Sequence, residues 1–300
     1  MKNKLIISTT SALPLAKKVV KELDTDLGPV VLRKFTSGEI YAEYQADISR
    51  KDVYVIATTG DNPNDDIMEL LLLIDGAKRN FAAKVHVVLP YYPYCRQDKK
   101  FSVRSPVSAS LLARLIEEAG ADSMYSITLH NPAIEGFFKI PFRHDWANDI
   151  IRDHLLGKKI KNPVLVAPDE GAAKWVVKLA DEMGWEHAIL NKIRPKQQQS
   201  KILDIVGEVK DKTCVVVDDM VDTASSIMAV KGALLQAGAN TDVYVAATHS
   251  VLSDEGRGNI IRTRLKKYIT TDTIPTSLQN KFKSLKVLSV APMIASYIIS

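Results

Sequence analysis

Short apolar runs alternate with stretches of helical period along almost the whole chain. Runs of strand character fall at residues 5–8, 30–35, 53–57, 85–89, 124–129, 164–167, 188–190, 214–217 and 243–248. Apolar positions recur at helical spacing over 13–23, 66–79, 106–118, 147–155, 172–183 and 225–237, and a last strand and helix span 287–298. The strands are continuously apolar, as in Val53-Tyr54-Val55-Ile56-Ala57 and Val215-Val216-Val217, which is the pattern of parallel strands buried on both faces. The alternation predicts an α/β fold of mostly parallel sheets flanked by helices, with ligands at the carboxyl ends of the strands.

Two stretches repeat one another. Residues 53–57 lead through a loop bearing Asp61, Asp65 and Asp66 into Ile67-Met68, a helix and the strand at 85–89. Residues 215–217 lead through Asp218, Asp219 and Asp222 into Ile227-Met228, a helix and the strand at 243–248. The repeat predicts two similar domains, residues 1–145 and 146–300, the first with a degenerate copy of the loop.

The second loop carries the sharper chemistry. Three valines run into Asp218-Asp219-Met220-Val221-Asp222-Thr223-Ala224-Ser225-Ser226, just before a helix starts. Free N–H groups and the positive end of the helix dipole attract a phosphate there. Carboxylates would repel it, but ionised Asp is acceptor-only and can hold two neighbouring sugar hydroxyls. A ribose phosphate has both features. The alternative is that Asp218 and Asp222 are turn and N-cap residues.

Composition narrows the class without naming it. Three hundred residues with 46% hydrophobic content suffice for two ordinary domains, and the net charge of +5 is scattered. That argues against a nucleic-acid binder and suits an anionic small substrate. Cys95 and Cys214 form neither a disulfide framework nor a zinc spacing. The opening residues read as a first strand, and no stretch reaches membrane-spanning length. A cytoplasmic protein is expected.

Other strand ends add polar groups. After residue 89 the chain reads Pro90-Tyr91-Tyr92-Pro93-Tyr94-Cys95-Arg96-Gln97-Asp98-Lys99-Lys100, either a solvated basic loop or a polyphosphate site. His130 ends another strand, as a structural histidine or a contact to a metal ion or phosphate. Asp169, in Pro168-Asp169-Glu170-Gly171, suits a magnesium ion directly or through water, or a helix cap. Lys192 and Arg194 alternate in a polar basic stretch that is a mobile flap or an exposed hairpin.

The Asp218-to-Ser226 segment resembles the phosphoribosyl-diphosphate (PRPP) loop of phosphoribosyltransferases, with Ser225-Ser226 where Gly-Thr is usual. With Phe35-Thr36-Ser37-Gly38-Glu39, the Arg96-Gln97-Asp98-Lys99 run, Leu129-His130, Gly136-Phe137-Phe138, Thr248-His249-Ser250 and Leu288-Ser289-Val290-Ala291-Pro292, the chain resembles the ribose-phosphate pyrophosphokinase (PRPP synthetase) family almost end to end. The resemblance implies two tandem phosphoribosyltransferase-type domains and transfer of a diphosphoryl group from ATP to ribose 5-phosphate, giving PRPP and AMP. It implies ATP contacts from Phe35, Ser37, Gly38, Glu39, Arg96, Gln97, Asp98 and Lys99, and Mg2+ served by His130 and Asp169. Lys192 and Arg194 are the implied catalytic residues. Arg194, Asp218, Asp219, Asp222, Thr223, Ala224, Ser225 and Ser226 are the implied ribose 5-phosphate contacts. A homo-oligomer of hexamer-of-dimers type is implied, with no nucleic-acid or membrane partner. The family commonly has Asp where Thr128 stands and an acid where Lys139 stands. A catalytically silent regulatory subunit and a phosphoribosyltransferase are the competing readings.

Overall fold

The computed structural model describes residues 3–193, 202–276, 278 and 282–300. It divides into two compact units. The first runs to Trp146 and takes back Asp272–Pro275 and Ser289–Ser300; the second comprises Ala147–Thr271 and Thr276–Leu288. A single cut after residue 145 therefore misses two C-terminal segments that belong with the first unit.

The first unit contains β1 (Lys4–Ser8), α1 (Leu13–Glu22), the hairpin β2 (Val30–Lys34) and β3 (Ile40–Tyr44), β4 (Asp52–Ile56) and α2 (Pro63–Arg79). It continues with β5 (Lys84–Val88), α3 (Ser108–Glu118), β6 (Ser123–Ile127) and β7 (Phe142–Asp145). Five strands form a parallel sheet in the order β1-β4-β5-β6-β7, and β2 with β3 forms a separate antiparallel ribbon.

The second unit contains α4 (Asn148–Leu156), β8 (Pro163–Ala167), α5 (Glu170–Met183), β9 (Glu186–Ile193), β10 (Ile202–Val206) and β11 (Thr213–Val221). After these come α6 (Ser225–Gln236), β12 (Tyr244–Ser250), α7 (Asp254–Arg262), β13 (Lys267–Thr271) and β14 (Leu285–Leu288). Its sheet runs β10-β9-β8-β11-β12-β13-β14, parallel except for the edge strand β10. Alternation within the apolar runs sorts side chains to two cores. Val164, Val166, Val216 and Val245 pack with Ile227, Val230 and Leu234 of α6. Leu165, Ala167, Val215, Val217 and Ala246 pack with Ile151 and Leu155 of α4 and with Val176 and Leu179 of α5. Each fully buried Val or Leu contributes roughly 1.5–3 kcal/mol.

The returning C-terminal chain is fixed to the first unit through Asp272. Its Oδ2 accepts from Lys18 Nζ at 2.7 Å and Ser289 Oγ at 2.8 Å, and its Oδ1 from the Val290 N–H at 2.8 Å. The last helix, α8 (Ala291–Ile299), then lays Tyr297 on Tyr125 of β6, with ring centroids 4.3 Å apart and planes within 10°.

The degenerate loop of the first unit is closed by its own acids. Asp66, in the first turn of α2, accepts from the Gly60 N–H and from Ser11 Oγ, both at 2.6 Å. Glu69, one turn on, accepts from the Thr10 N–H and Thr10 Oγ1, both at 2.8 Å. Both carboxylates are buried. Hydrogen bonds to ionised groups are the stronger ones, about 1.5–3 kcal/mol each. Asp66→Ala is expected to lower stability by about 2 kcal/mol, or roughly 4–8 °C in Tm; thermal denaturation checks this, and an unchanged Tm would contradict the assigned role.

Candidate active site

In the second unit the candidate groups gather at the carboxyl edge of the sheet. β11 does not end before its acids, as the sequence pattern suggests; it runs on to Val221, paired Asp218 to Ala247 and Met220 to His249. Asp218 and Asp219 thus sit on the strand itself, and the Asp219 N–H donates to Asp218 Oδ1 at 2.9 Å. The turn is confined to Asp222, Thr223 and Ala224. The capping position of α6 is Ala224, at φ 55° and with no side-chain cap, so Asp222 is not the N-cap. Ser225 and Ser226 are helical and exposed, and the left-handed conformation falls on Ala224 instead. Thr223 Oγ1 and Ser225 Oγ lie 2.8 Å apart. No acid occupies the first turn of α6.

Asp169 follows β8, the strand beside β11. It caps α5, its Oδ1 accepting from the N–H groups of Gly171 at 3.0 Å and Ala172 at 3.3 Å. The cap reading of this tripeptide is therefore the observed geometry, and it fixes the carboxylate at the sheet edge. Burial pushes the Asp218 carboxyl well above its ordinary range, with Asp219 next and Asp169 adding to the effect. On the other side of β8, β9 reaches Ile193 and pairs antiparallel with β10, Lys192 opposite Leu203. Ala167 is level with Ile189, so the Lys192 backbone lies beyond the end of β8. The Lys192 side chain and all of Arg194 lie outside the described residues.

In the first unit, Tyr94 takes φ 60° and starts a short 3-10 turn, Cys95–Gln97. Tyr92 and Cys95 anchor the turn in the core, leaving Arg96, Gln97 and Lys99 exposed. Gln97 Oε1 accepts from Ser108 Oγ at 2.5 Å, and Asp98 Oδ2 accepts from Asn131 Nδ2 at 2.5 Å. The second bond ties this loop to Asn131, whose neighbour His130 is exposed. Thr128 is buried at φ 49°, a strained conformation for a β-branched residue. Sequence reasoning missed a support here. The Leu129 N–H donates to His144 Nε2 at 3.0 Å, while His144 Nδ1 faces Glu135 Oε1 at 3.2 Å. Burial lowers the His144 pKa despite Glu135, so the neutral ring that this acceptor role needs is favoured.

Phe35, Ser37, Gly38 and Glu39 form the tip of the β2–β3 ribbon, where Gly38 takes φ 92°. The Phe35 N–H donates to the Glu39 carbonyl at 2.8 Å, Ser37 Oγ donates to Glu39 Oε2 at 2.9 Å, and Phe35 is 49% exposed. The first turn of α2 touches both regions: Asp65 pairs with Lys34 at 2.5 Å, and Asn64 accepts from Tyr94 OH at 2.5 Å.

Comparison with known proteins decides the family. The N-terminal domain of ribose phosphate pyrophosphokinase matches residues 4–120, and the phosphoribosyl synthetase-associated domain matches residues 179–299. Ribose-phosphate pyrophosphokinase of Bacillus subtilis (strain 168) is 37% identical over 298 residues, covering 99% of this chain and 94% of that protein. This chain belongs to the ribose-phosphate pyrophosphokinase family. Ribose-phosphate pyrophosphokinase 2 of Enterococcus faecalis is 39% identical over 295 residues, covering 98% of this chain and 91% of that protein. The crystal structure of phosphoribosylpyrophosphate synthetase from Mycobacterium smegmatis superposes with a TM-score of 0.93 at 35% identity, covering 99% of this chain and 98% of that one. The pyrophosphokinase fold of two phosphoribosyltransferase-type units, expected from the repeat and the resemblance, is the observed one, and the chain is that of an enzyme.

The Asp218 shift has a consequence for stability. A carboxyl bound more tightly to its proton in the folded state contributes most below the ordinary carboxylate range, and that contribution is lost as pH rises through the folded pKa. Ionised Asp218 is thus a cost to the folded protein at alkaline pH. Asp218→Asn is expected to raise Tm at pH 8 by more than at pH 5. Thermal melts at both values check this; a Tm lowered at pH 8 would contradict it.

Proposed function

We propose that this chain transfers the diphosphoryl group of magnesium–ATP to the anomeric hydroxyl of ribose 5-phosphate, giving PRPP and AMP for nucleotide biosynthesis. One observation carries the reading. Of two helix starts that follow like strands, the first turn of α2 carries Asp65 and Asp66, whereas the first turn of α6 holds no acid. A phosphate is repelled at the first and attracted at the second. Asp218, Asp219 and Asp222 are the acceptors for ribose hydroxyls, and Thr223, Ala224, Ser225 and Ser226 the donors for the 5-phosphate.

The sugar oxygen attacks the β-phosphorus of ATP, a bond forms to it, and the bond to the α-phosphate oxygen breaks to release AMP. Lys192 and Arg194 are assigned to stabilise charge on the transferring group, and Arg194 also to the sugar phosphate. Arg96, Gln97, Asp98 and Lys99 are assigned to ATP. The exposed ribbon tip, Phe35, Ser37, Gly38 and Glu39, is assigned to the adenine of a neighbouring copy, which supports a homo-oligomer.

Among the described residues, no three or more His, Cys, Asp or Glu side chains gather as a metal cage. That fits magnesium, which commonly takes one or two carboxylates with substrate phosphates and water. Asp169 and His130 are assigned to it, and it supplies charge neutralisation on the phosphates. No helix among the described residues is long and apolar enough to cross a membrane; cytoplasmic placement belongs to the same proposal.

A coupled assay is expected to detect AMP only with ATP, ribose 5-phosphate and magnesium together. No AMP under any metal or phosphate condition would favour the silent-subunit reading. Lys192→Ala is expected to lower kcat by about 10²-fold or more with a much smaller change in KM. Equal losses in binding and turnover, read from steady-state kinetics, would contradict its role.

A further inference from the structure

We propose that Asn259, oriented by Arg262, is a positioning residue for the turn that receives the sugar phosphate. The inference rests on the ribose 5-phosphate role given to residues 222–226. Asn259 lies on α7 and is buried, 6% exposed. Its Nδ2 donates to the Thr223 carbonyl at 2.8 Å, and its Oδ1 accepts from Arg262 Nη2 at 2.6 Å. A guanidinium only donates, so this pairing assigns the amide with its donor toward the turn.

The Thr223 carbonyl and the Ala224 N–H share one planar trans peptide and point in opposite directions. Drawing the carbonyl toward α7 therefore aims the Ala224 N–H away from it. The same grip fixes the plane about which Ala224 takes φ 55°, a conformation an L-alanine keeps only when held. The Ala224 methyl can make no capping hydrogen bond to brace the helix start. The N–H groups from Ala224 onward are the donors that an anion at this helix start would use.

Gly256, one turn earlier on α7, shows how closely the helix approaches. A Cβ there would stand 1.8 Å from the Asp222 carbonyl oxygen and 3.3 Å from Thr223 Cα. The helix thus touches the turn backbone at Asp222 by contact and at Thr223 by hydrogen bond. Neither contact involves a group assigned to ATP, so the effect should be confined to the sugar phosphate.

The test is steady-state kinetics together with calorimetric titration of ribose 5-phosphate into the full-length protein. Asn259→Leu removes the donor at similar volume and is expected to raise KM and Kd for ribose 5-phosphate about tenfold. KM for ATP is expected to stay within about twofold and kcat at saturating sugar phosphate within about threefold. Asn259→Gln, which keeps an amide donor, should recover part of the loss. Arg262→Met, which leaves the donor but frees the amide to rotate, should give a smaller rise of about threefold. If Asn259→Leu does not fold, Arg262→Met and Asn259→Gln carry the test. An unchanged KM for ribose 5-phosphate, or equal rises for both substrates, would overturn the inference while leaving the proposed reaction intact. Wild-type protein that binds no ribose 5-phosphate would overturn the reaction, and the inference with it.

Discussion

The start of a helix after a parallel strand is electropositive, and the two units differ in the charge they place around it. In the first, Asp66 and Glu69 come from α2 itself and reach back to Gly60, Ser11 and Thr10. In the second, the helix begins with Ala224, Ser225 and Ser226, and its first turn brings no charge of its own. One design therefore yields a sealed structural joint in one unit and, on the proposed reading, an anion position in the other.

The same contrast explains the electrostatic burden of the second unit. Burial, with Asp219 next and Asp169 adding to it, makes Asp218 resist ionisation. Such burial costs stability, and on the proposed reading it keeps acceptors ready for a hydroxyl-rich ligand. The first unit tolerates strain of another kind, in the left-handed Thr128 two residues before His130, with His144 accepting the intervening Leu129 N–H.

Much of the architecture was legible because parallel strands covered on both faces must be apolar at every position, as 53–57 and 215–217 are. What lacked that signature was missed. β13 buries Thr270 in a hydroxyl network with Ser250 and Tyr268, and Thr271 donates to the Thr248 carbonyl, so its polar letters hide a core strand. α7 carries Gly256 and Gly258 and few apolar residues, yet it forms because Ser253 caps it and its Asn259 and Gly256 fit the neighbouring turn. β3, β7 and β10 are short strands at an edge or in a separate ribbon. The acidic loop was identified by residue type, but its conformation was not: the strand runs through Asp218 and Asp219, and the left-handed residue is Ala224. Hydrogen bonding from distant residues decides both, and no local pattern reports it.

The return of the chain through Asp272 makes the first unit discontinuous, with the whole of the second written into its sequence before its final helix. During synthesis, residues up to Trp146 leave the ribosome well before Tyr297 exists to cover Tyr125. The nascent N-terminal portion must wait with that aromatic face open, a stage at which chaperones and misassembly compete. Completion of the first unit's core thus depends on a segment that follows the whole second unit in sequence.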